Sequence, residues 1–233
     1  MSISIKNLVR YVALILELIH NEDWENLETV VSEHKLFRVA SEHIQKCDEF
    51  NGMTFLHAVI KYNPPLSILN KMIKAHSDAL KGQDCVGRTP LHVACGTGAS
   101  ANIIRSLVKE YPEACNVQDE DGRLPLHLAC DSECVLFEGD ETHRAPPTLE
   151  VIRPLLSGSL RSVLVEDEDD MSPIEYAIVS DADIKVVKLL QKASMTIRRQ
   201  DKEFSQAAAR KAADEKDTKP VVVQLPRSVL SYC

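Results

Sequence analysis

Aromatic side chains are scarce in this sequence of 233 residues, which contains five Phe, five Tyr and one Trp. The apolar residues, 44% of the chain, are mostly aliphatic instead. Strands draw heavily on aromatic and β-branched side chains, whereas alanine- and leucine-rich sequences suit helices. The composition therefore favours stacked helices over a β-sandwich.

The sequence also lacks the short motifs by which common enzymes are recognised. It has no glycine-rich phosphate loop, no G-x-S-x-G, no H-E-x-x-H and no protein-kinase signature. Residues 167–170 are similar to half of a calcium loop, but neither a glycine nor a closing glutamate follows at the required spacing. We expect a protein that is not an enzyme and that holds no metal and no cofactor.

Basic residues are in deficit, since 27 Lys and Arg face 35 Asp and Glu, which gives a formal net charge of −8. A surface of that sign repels nucleic acid and anionic lipid. The apolar stretch Leu8–Ile19 is too short to span a bilayer and contains Arg10 and Glu17. It also has no cleavage site for a signal peptide. We expect a buried helix there, and neither nucleic acid nor membrane as a partner.

Cysteine is limited to seven residues, and their odd number and wide spacing do not fit a secreted disulfide scaffold. This pattern predicts reduced thiols and an intracellular protein, cytoplasmic or nuclear. A zinc site made of His127, Cys130, Cys134 and His143 is an alternative, but its spacing matches no common zinc pattern.

What the sequence does contain is an internal repeat. Segments that begin at Asn51, Val86 and Asp121 align without gaps at a spacing of 35 residues, and a fourth begins 48 residues later at Asp169. The third unit therefore carries an insertion of 13 residues. Each unit starts with a turn and a short helix, and its second half has apolar residues at i, i+1, i+4 and i+5, one face of a longer helix. The pattern predicts four helix–turn–helix units.

These residues resemble the ankyrin repeat. Thr89-Pro90-Leu91-His92-Val93-Ala94 matches the hexapeptide of that family, and residues 124–129 depart from it only at the first position. The resemblance covers about residues 48–193 and implies an all-α ankyrin-repeat solenoid with hairpin-like turn fingers. It assigns a structural role in the turns to the repeat signature, which is Gly52, Thr54, His57, Gly87, Thr89, His92, Gly122 and His127.

The fourth unit departs from the family pattern. Asp170 stands where the turn glycine is expected, and Glu175 replaces the histidine. Because a left-handed turn position favours glycine, we expect a distorted turn there. Pro154 falls within the predicted long helix of the third unit, which must kink at Pro154 or begin close to it.

The predicted organisation has three parts. The first, residues 1–47, is an N-terminal helical capping repeat with helices over 7–20 and 24–33, followed by a looser segment over 35–48. The third, residues 195–233, is helical from Thr196 and then flexible, with an apolar run at 221–223. Between them lie the repeats over 48–194, at about 48–83, 84–118, 119–166 with the insertion near 132–147, and 167–194.

The resemblance implies a monomeric module that binds another protein on its concave side. Phe50, Tyr62, Arg88 and Arg123 are the expected anchors, since aromatic and arginine side chains dominate binding energy at interfaces. Acidic residues at successive turns reflect either turn chemistry or a negative rim for a partner with a basic surface. Carried over position by position, the candidate protein-binding residues are Phe50, Asn51, Met53, Lys61, Tyr62, Val86, Arg88, Glu120, Asp121, Arg123, Asp131, Glu168, Asp169 and Met171.

The insertion is the most individual feature of the sequence. It is acidic and contains Val135, Leu136 and Phe137. Such a loop is either disordered or functional, and Leu136 and Phe137 either anchor a partner or fold back on the solenoid. Two alternatives to a plain binding module follow. One is a regulatory or inhibitory subunit that occludes a basic partner or enzyme with help from the insertion, and the more remote one is an enzyme that uses the insertion as a lid.

Overall fold

The computed structural model of the chain describes residues 5–137 and 144–217. Over this part of the chain all regular secondary structure is helical. The α-helices are α1 (Ile5–His20), α2 (Trp24–Ser32), α3 (His34–Lys46), α4 (Phe55–Lys61), α5 (Leu66–Ala75), α6 (Pro90–Gly96), α7 (Ala101–Glu110), α8 (Pro125–Cys130), α9 (Leu149–Gly158), α10 (Pro173–Val179) and α11 (Ile184–Asp217).

The N-terminal region is more helical than expected. Helices α1 and α2 match the predicted pair to within two residues at each end. The segment expected to be loose is helix α3, and it buries Phe37, Ala40 and Ile44. These residues follow the i, i+3, i+7 spacing of one helical face, but they lie outside the repeat pattern on which the prediction was based. The looser segment over 35–48 was therefore a wrong prediction.

The repeats form two layers of helices. Helices α4, α6, α8 and α10 are short and pack side by side, and α5, α7 and α9 form a second layer behind them. The predicted apolar faces of the long helices are buried or partly buried, which confirms the all-α repeat architecture. Their residues are Ile68, Leu69, Met72 and Ile73, then Ile103, Ile104, Leu107 and Val108, and then Val151, Ile152, Leu155 and Leu156.

Pro154 does not interrupt the third long helix. Helix α9 runs through it from Leu149 to Gly158, and Pro154 itself is buried. The hydrogen bond that proline cannot donate would have reached the carbonyl of Glu150, an exposed residue in the first turn. The expected start of the helix close to Pro154 was therefore wrong, and a kink at Pro154 stays a prediction.

The chain divides after Ser194 into two compact units. In the first unit α11 buries Val186 and Leu190 and exposes Gln191, as the outer side of a last repeat requires. In the second unit the same helix continues to Asp217, so the helix predicted from Thr196 is not a separate element. The apolar run at 221–223 lies outside the described residues. None of the described helices is both long and apolar enough to cross a membrane.

Candidate functional site

The second, third and fourth repeats each begin with a tight turn, here called a finger, in which an aspartate organises the backbone. In the finger Asp84–Arg88, Oδ1 of Asp84 accepts hydrogen bonds from the backbone N–H groups of Val86 (3.1 Å) and Arg88 (2.9 Å). The backbone of Asp84 also donates to the carbonyl of Arg88 at 3.0 Å, which closes the turn. The fingers Asp119–Arg123 and Asp167–Met171 repeat both features.

The second carboxylate oxygen of each aspartate binds a long side chain. Asp84 Oδ2 lies 2.8 Å from Arg88 Nε, and Asp119 Oδ2 lies 3.4 Å from Arg123 Nε. In the last finger Tyr176 donates its hydroxyl to Asp167 at 2.7 Å. These aspartates are buried. Turn chemistry therefore accounts for the regular spacing of Asp84, Asp119 and Asp167.

Neighbouring fingers are hydrogen-bonded to one another. Glu120 donates its backbone N–H to the carbonyl of Val86 at 3.0 Å, and Glu168 donates to Asp121 at 3.0 Å. Gly122, at φ +73°, permits this approach, because a Cβ there would lie 3.3 Å from the backbone nitrogen of Glu168. The fingers thus form a continuous row with defined spacing.

The turn of the fourth unit is not distorted. Asp170 itself adopts φ +59°, and Asp167 still donates to the carbonyl of Met171 at 3.1 Å. Aspartate tolerates the left-handed region better than most residues with a side chain. Glu175 accepts hydrogen bonds from Ser172 at both N and Oγ, which completes the helix cap, so the expected distortion was wrong.

The signature histidines connect each unit to the next finger. Nδ1 of His57 accepts a hydrogen bond from the N–H of Thr54 (3.0 Å), so the ring proton must be on Nε2, which donates to the carbonyl of Arg88 at 2.9 Å. His92 reaches the carbonyl of Arg123 at 3.2 Å, and His127 reaches that of Val165 at 3.0 Å. All three are buried.

Burial keeps these histidines neutral. It lowers the pKa of His57 to about 4 and that of His92 to about 4, although their hydrogen bonds to carbonyls and the charge of Asp84 act in the opposite direction. The pKa of His127 is lowered for the same main reason. If Nδ1 were protonated, it could no longer accept the hydrogen bond from the backbone N–H. The hydrogen bonds to Nδ1 therefore require the neutral imidazole ring.

The candidate binding residues lie in the turns before the short helices or at the C-terminal ends of those helices. We define the short-helix face as the surface formed by residues 50–53, the fingers and α4, α6, α8 and α10. Five of the candidates are exposed on it, namely Asn51, Glu120, Asp121, Glu168 and Asp169. The others are half-buried, namely Phe50, Met53, Lys61, Tyr62, Val86, Arg88, Arg123, Asp131 and Met171.

The four expected anchors have partners within the chain. The side chains of Arg88 and Arg123 are only 14% and 24% exposed and are paired with the finger aspartates. The Tyr62 hydroxyl lies 3.0 Å from Nδ1 of His20, and Phe50 packs against the core. These four residues therefore hold the fingers and short helices in place.

The described part of the insertion folds back on the short-helix face. Leu136 covers Gly96 at the end of α6, and the carbonyl of Leu136 accepts a hydrogen bond from Arg88 Nη1 at 3.0 Å. The ring of Phe137 lies under two cations, with Lys61 Nζ 4.4 Å and Arg88 Cζ 5.5 Å from its centroid. Lys61, Arg88 and Gly96 are thus brought together by a segment of the same chain.

Arg144 secures the other side of the insertion. It donates from Nη1 to the carbonyl of Cys95 (2.6 Å) and from Nη2 to the carbonyls of Leu128 (3.2 Å) and Asp131. These carbonyls lie at the C-terminal ends of α6 and α8, where a positive charge is favourable. Sequence reasoning missed Arg144, because its acceptors are backbone atoms in other units and leave no pattern of side chains.

The base of the insertion is closed by backbone hydrogen bonds. Arg144 donates its N–H to the carbonyl of Ser132 at 3.1 Å, and the N–H of Ser132 donates to Oγ of Ser180 at 2.9 Å. Close to Ser180 in the sequence, Ile178 and Val179 are exposed by 56% and 74%. Residues 138–143 of the insertion lie outside the described part of the chain.

The buried thiols are unreactive packing groups. Cys95, Cys115, Cys130 and Cys134 are free and buried, and burial raises the pKa of Cys115 to about 12. In the described residues no group of three or more His, Cys, Asp and Glu is arranged to hold a metal. His143, the fourth member of the zinc hypothesis, is outside them.

Comparison with known proteins agrees with the repeat geometry. Residues 56–137 match the family model described as ankyrin repeats, in three copies. No curated protein matches the chain significantly.

Proposed function

We propose that this chain, which is an ankyrin-repeat protein, binds a protein partner through its short-helix face. Ankyrin repeats generally act as protein–protein interaction modules. The observation that carries the proposal is that this face already holds a peptide segment, Leu136–Phe137, through apolar, cation–π and backbone contacts. The apolar, cationic and hydrogen-bonding groups that hold this segment can also bind a segment of another protein.

The uncovered part of the face suggests a partner with a basic surface. Glu120, Asp121, Glu168 and Asp169 are exposed on two adjacent fingers that are joined by a backbone hydrogen bond. Charges held at defined positions attract an oppositely charged partner and set its orientation. At the C-terminal end of α10, exposed Ile178 and Val179 offer apolar area.

A charge-reversal capture experiment tests this proposal. The wild-type protein is compared with a variant that carries Glu120→Lys, Asp121→Lys, Glu168→Lys and Asp169→Lys. A matched control carries Asp78→Lys, Glu110→Lys, Glu113→Lys and Glu150→Lys, which reverse as many exposed charges away from the fingers. Partners retained by the wild type and the control, but lost with the finger variant, support the proposal. Equal capture by all three proteins contradicts it.

A further inference from the structure

We propose that residues 135–137 are an internal ligand that a partner displaces with its own extended segment, an aliphatic residue followed by an aromatic one. This inference rests on the proposed binding function of the short-helix face and adds the chemistry of the ligand. The site is a groove that we call the Gly96 groove, formed by Lys61, Arg88 and Gly96.

The aliphatic position is defined by a missing side chain. A Cβ at position 96 would lie 2.6 Å from Cγ of Leu136, so Leu136 occupies space that glycine alone leaves open. Gly96 ends α6 and is buried, and its backbone is not in the left-handed region. The backbone conformation at position 96 does not require glycine. The close contact with Leu136 requires it.

The aromatic position is defined by charge. Lys61 Nζ and Arg88 Cζ both lie within 6 Å of the Phe137 centroid, where the face of a ring attracts a cation. An aliphatic side chain in place of the ring would lose this attraction to the two cations. The ring therefore suits this position better than leucine or valine.

The polar contact does not depend on the side chain of the ligand. Arg88 Nη1 donates to the backbone carbonyl of Leu136, and any extended peptide in the same register presents that carbonyl. The same arginine is held by Asp84 through Nε, so its guanidinium is oriented before a ligand arrives. The groove thus recognises one carbonyl, one aliphatic side chain and one aromatic ring.

The internal segment is held weakly enough to be exchanged. Leu136 and Phe137 are only half-buried, and Val135 is 59% exposed. The contacts of Arg144 and Ser132, which anchor the ends of the insertion, involve other atoms. Residues 135–137 can therefore leave the groove without disturbing the helix ends that Arg144 caps.

A peptide titration tests the inference directly. The probe is a blocked peptide of residues 131–137 with Cys134→Ser, and a second peptide with serine in place of the leucine and phenylalanine is the control. Binding is followed by amide chemical shifts in three proteins, namely the wild type, an emptied variant with Leu136→Ser and Phe137→Ser, and the emptied variant with Gly96→Ala added. Serine at position 136 has no δ-carbons and its Oγ can rotate away from the added methyl group, so we expect the third protein to keep its fold.

We expect the probe to bind the emptied variant at least about tenfold more tightly than the wild type, because a tethered segment competes at millimolar effective concentration. Adding Gly96→Ala should abolish binding, and the control peptide should not bind. Equal binding to wild type and emptied variant, or none to the emptied variant at millimolar peptide, would overturn the inference. Heterodimers formed on mixing the wild type with the emptied variant would assign the groove to a second copy and overturn it as well.

The two proposals fail separately. The charge-reversed finger variant breaks the Asp121–Arg123 ion pair but keeps Lys61, Arg88, Gly96 and the insertion unchanged, so it reports on partner capture and not on the groove. The peptide titration uses no partner and reports on the groove alone. If the probe peptide does not bind but the partner is still captured, the internal-ligand proposal is contradicted and the proposed binding function is not.

Discussion

Leu136 occupies the place where a side chain at position 96 would begin, with its Cγ 2.6 Å from the position of a Cβ on Gly96. This relationship joins the insertion of the third repeat to the short helix of the second. It places part of the insertion on the short-helix face, for which we propose partner binding.

Gly96→Ala should release the insertion from this face. The added methyl group cannot share space with Leu136, whereas alanine within a helix is favoured over glycine by about 1 kcal/mol. We expect the repeats to stay folded while the nuclear Overhauser contacts between the Phe137 ring and the Lys61 side chain are lost. Val135→Ala, at an exposed position of the same segment, is the matched control. Unchanged Phe137–Lys61 contacts in Gly96→Ala would show that Leu136 does not rest on Gly96.

Arg144→Met should destabilise the repeats. The methionine keeps apolar bulk but leaves the carbonyls of Cys95, Leu128 and Asp131 without their donor. Loss of hydrogen bonds from a charged donor at two helix ends predicts a decrease of about 2–3 kcal/mol in the free energy of unfolding. Urea denaturation measures it. Arg153→Met, an exposed arginine on α9, is the control and should change stability by less than about 0.5 kcal/mol. Similar values for both variants would argue against a capping role for Arg144.

Acid should weaken the fold through the signature histidines. Their pKa values in the folded protein lie below the value near 6.5 of an unfolded chain, so the unfolded state binds more protons as the pH falls. Their contribution is complete above pH 6.5 and is lost progressively down to about pH 4. With folded values of about 4 for His57 and His92, each predicts a loss of about 2 kcal/mol by pH 5.

Urea denaturation between pH 7.5 and pH 5 measures this dependence. His92→Gln removes one titrating group, so its stability should fall less steeply with pH than that of the wild type, even if it is lower throughout. His34→Gln, at an exposed position, should keep the wild-type slope. A wild-type stability that does not change over this range would contradict the neutral, buried histidines.

Glycine should be preferred at position 170. Asp170 adopts φ +59°, a conformation that costs a residue with a Cβ more than it costs glycine. Asp170→Gly should raise the free energy of unfolding by up to about 1 kcal/mol. The reciprocal Gly122→Ala should lower it by at least about 1 kcal/mol, because φ is +73° there and the next finger is close. A melting temperature for Asp170→Gly below that of the wild type would show that the aspartate has a stabilising contact of its own.

Much of the fold could be predicted from the sequence, because every repeat carries the same local chemistry. Thr89, Pro90 and His92 act within one turn of chain, and apolar pairs such as Ile103 and Ile104 mark the buried face of each long helix. Helix α3 could not be predicted in this way, since it carries no repeat signature, although Phe37, Ala40 and Ile44 do mark one helical face.

The insertion on the short-helix face was beyond the reach of sequence reasoning for a different reason. Its contacts join Leu136 to Gly96 and Arg144 to backbone carbonyl groups. Neither a glycine nor a backbone carbonyl forms a sequence pattern from which its partner can be predicted. The roles of Arg88 and Arg123 were hidden similarly. Arginine at a finger suggests an anchor for a partner, and only the three-dimensional arrangement shows the aspartate that pairs with it.

Site-specific photo-crosslinking tests the central claim, that the short-helix face binds a protein partner, most directly. A photoreactive amino acid is placed at Val179 or Asp121 on that face, or at Glu113 as an exposed position away from it. The account predicts that the same partner is crosslinked from positions 179 and 121 and not from position 113. Crosslinks from position 113 alone would place the binding surface elsewhere and contradict the account.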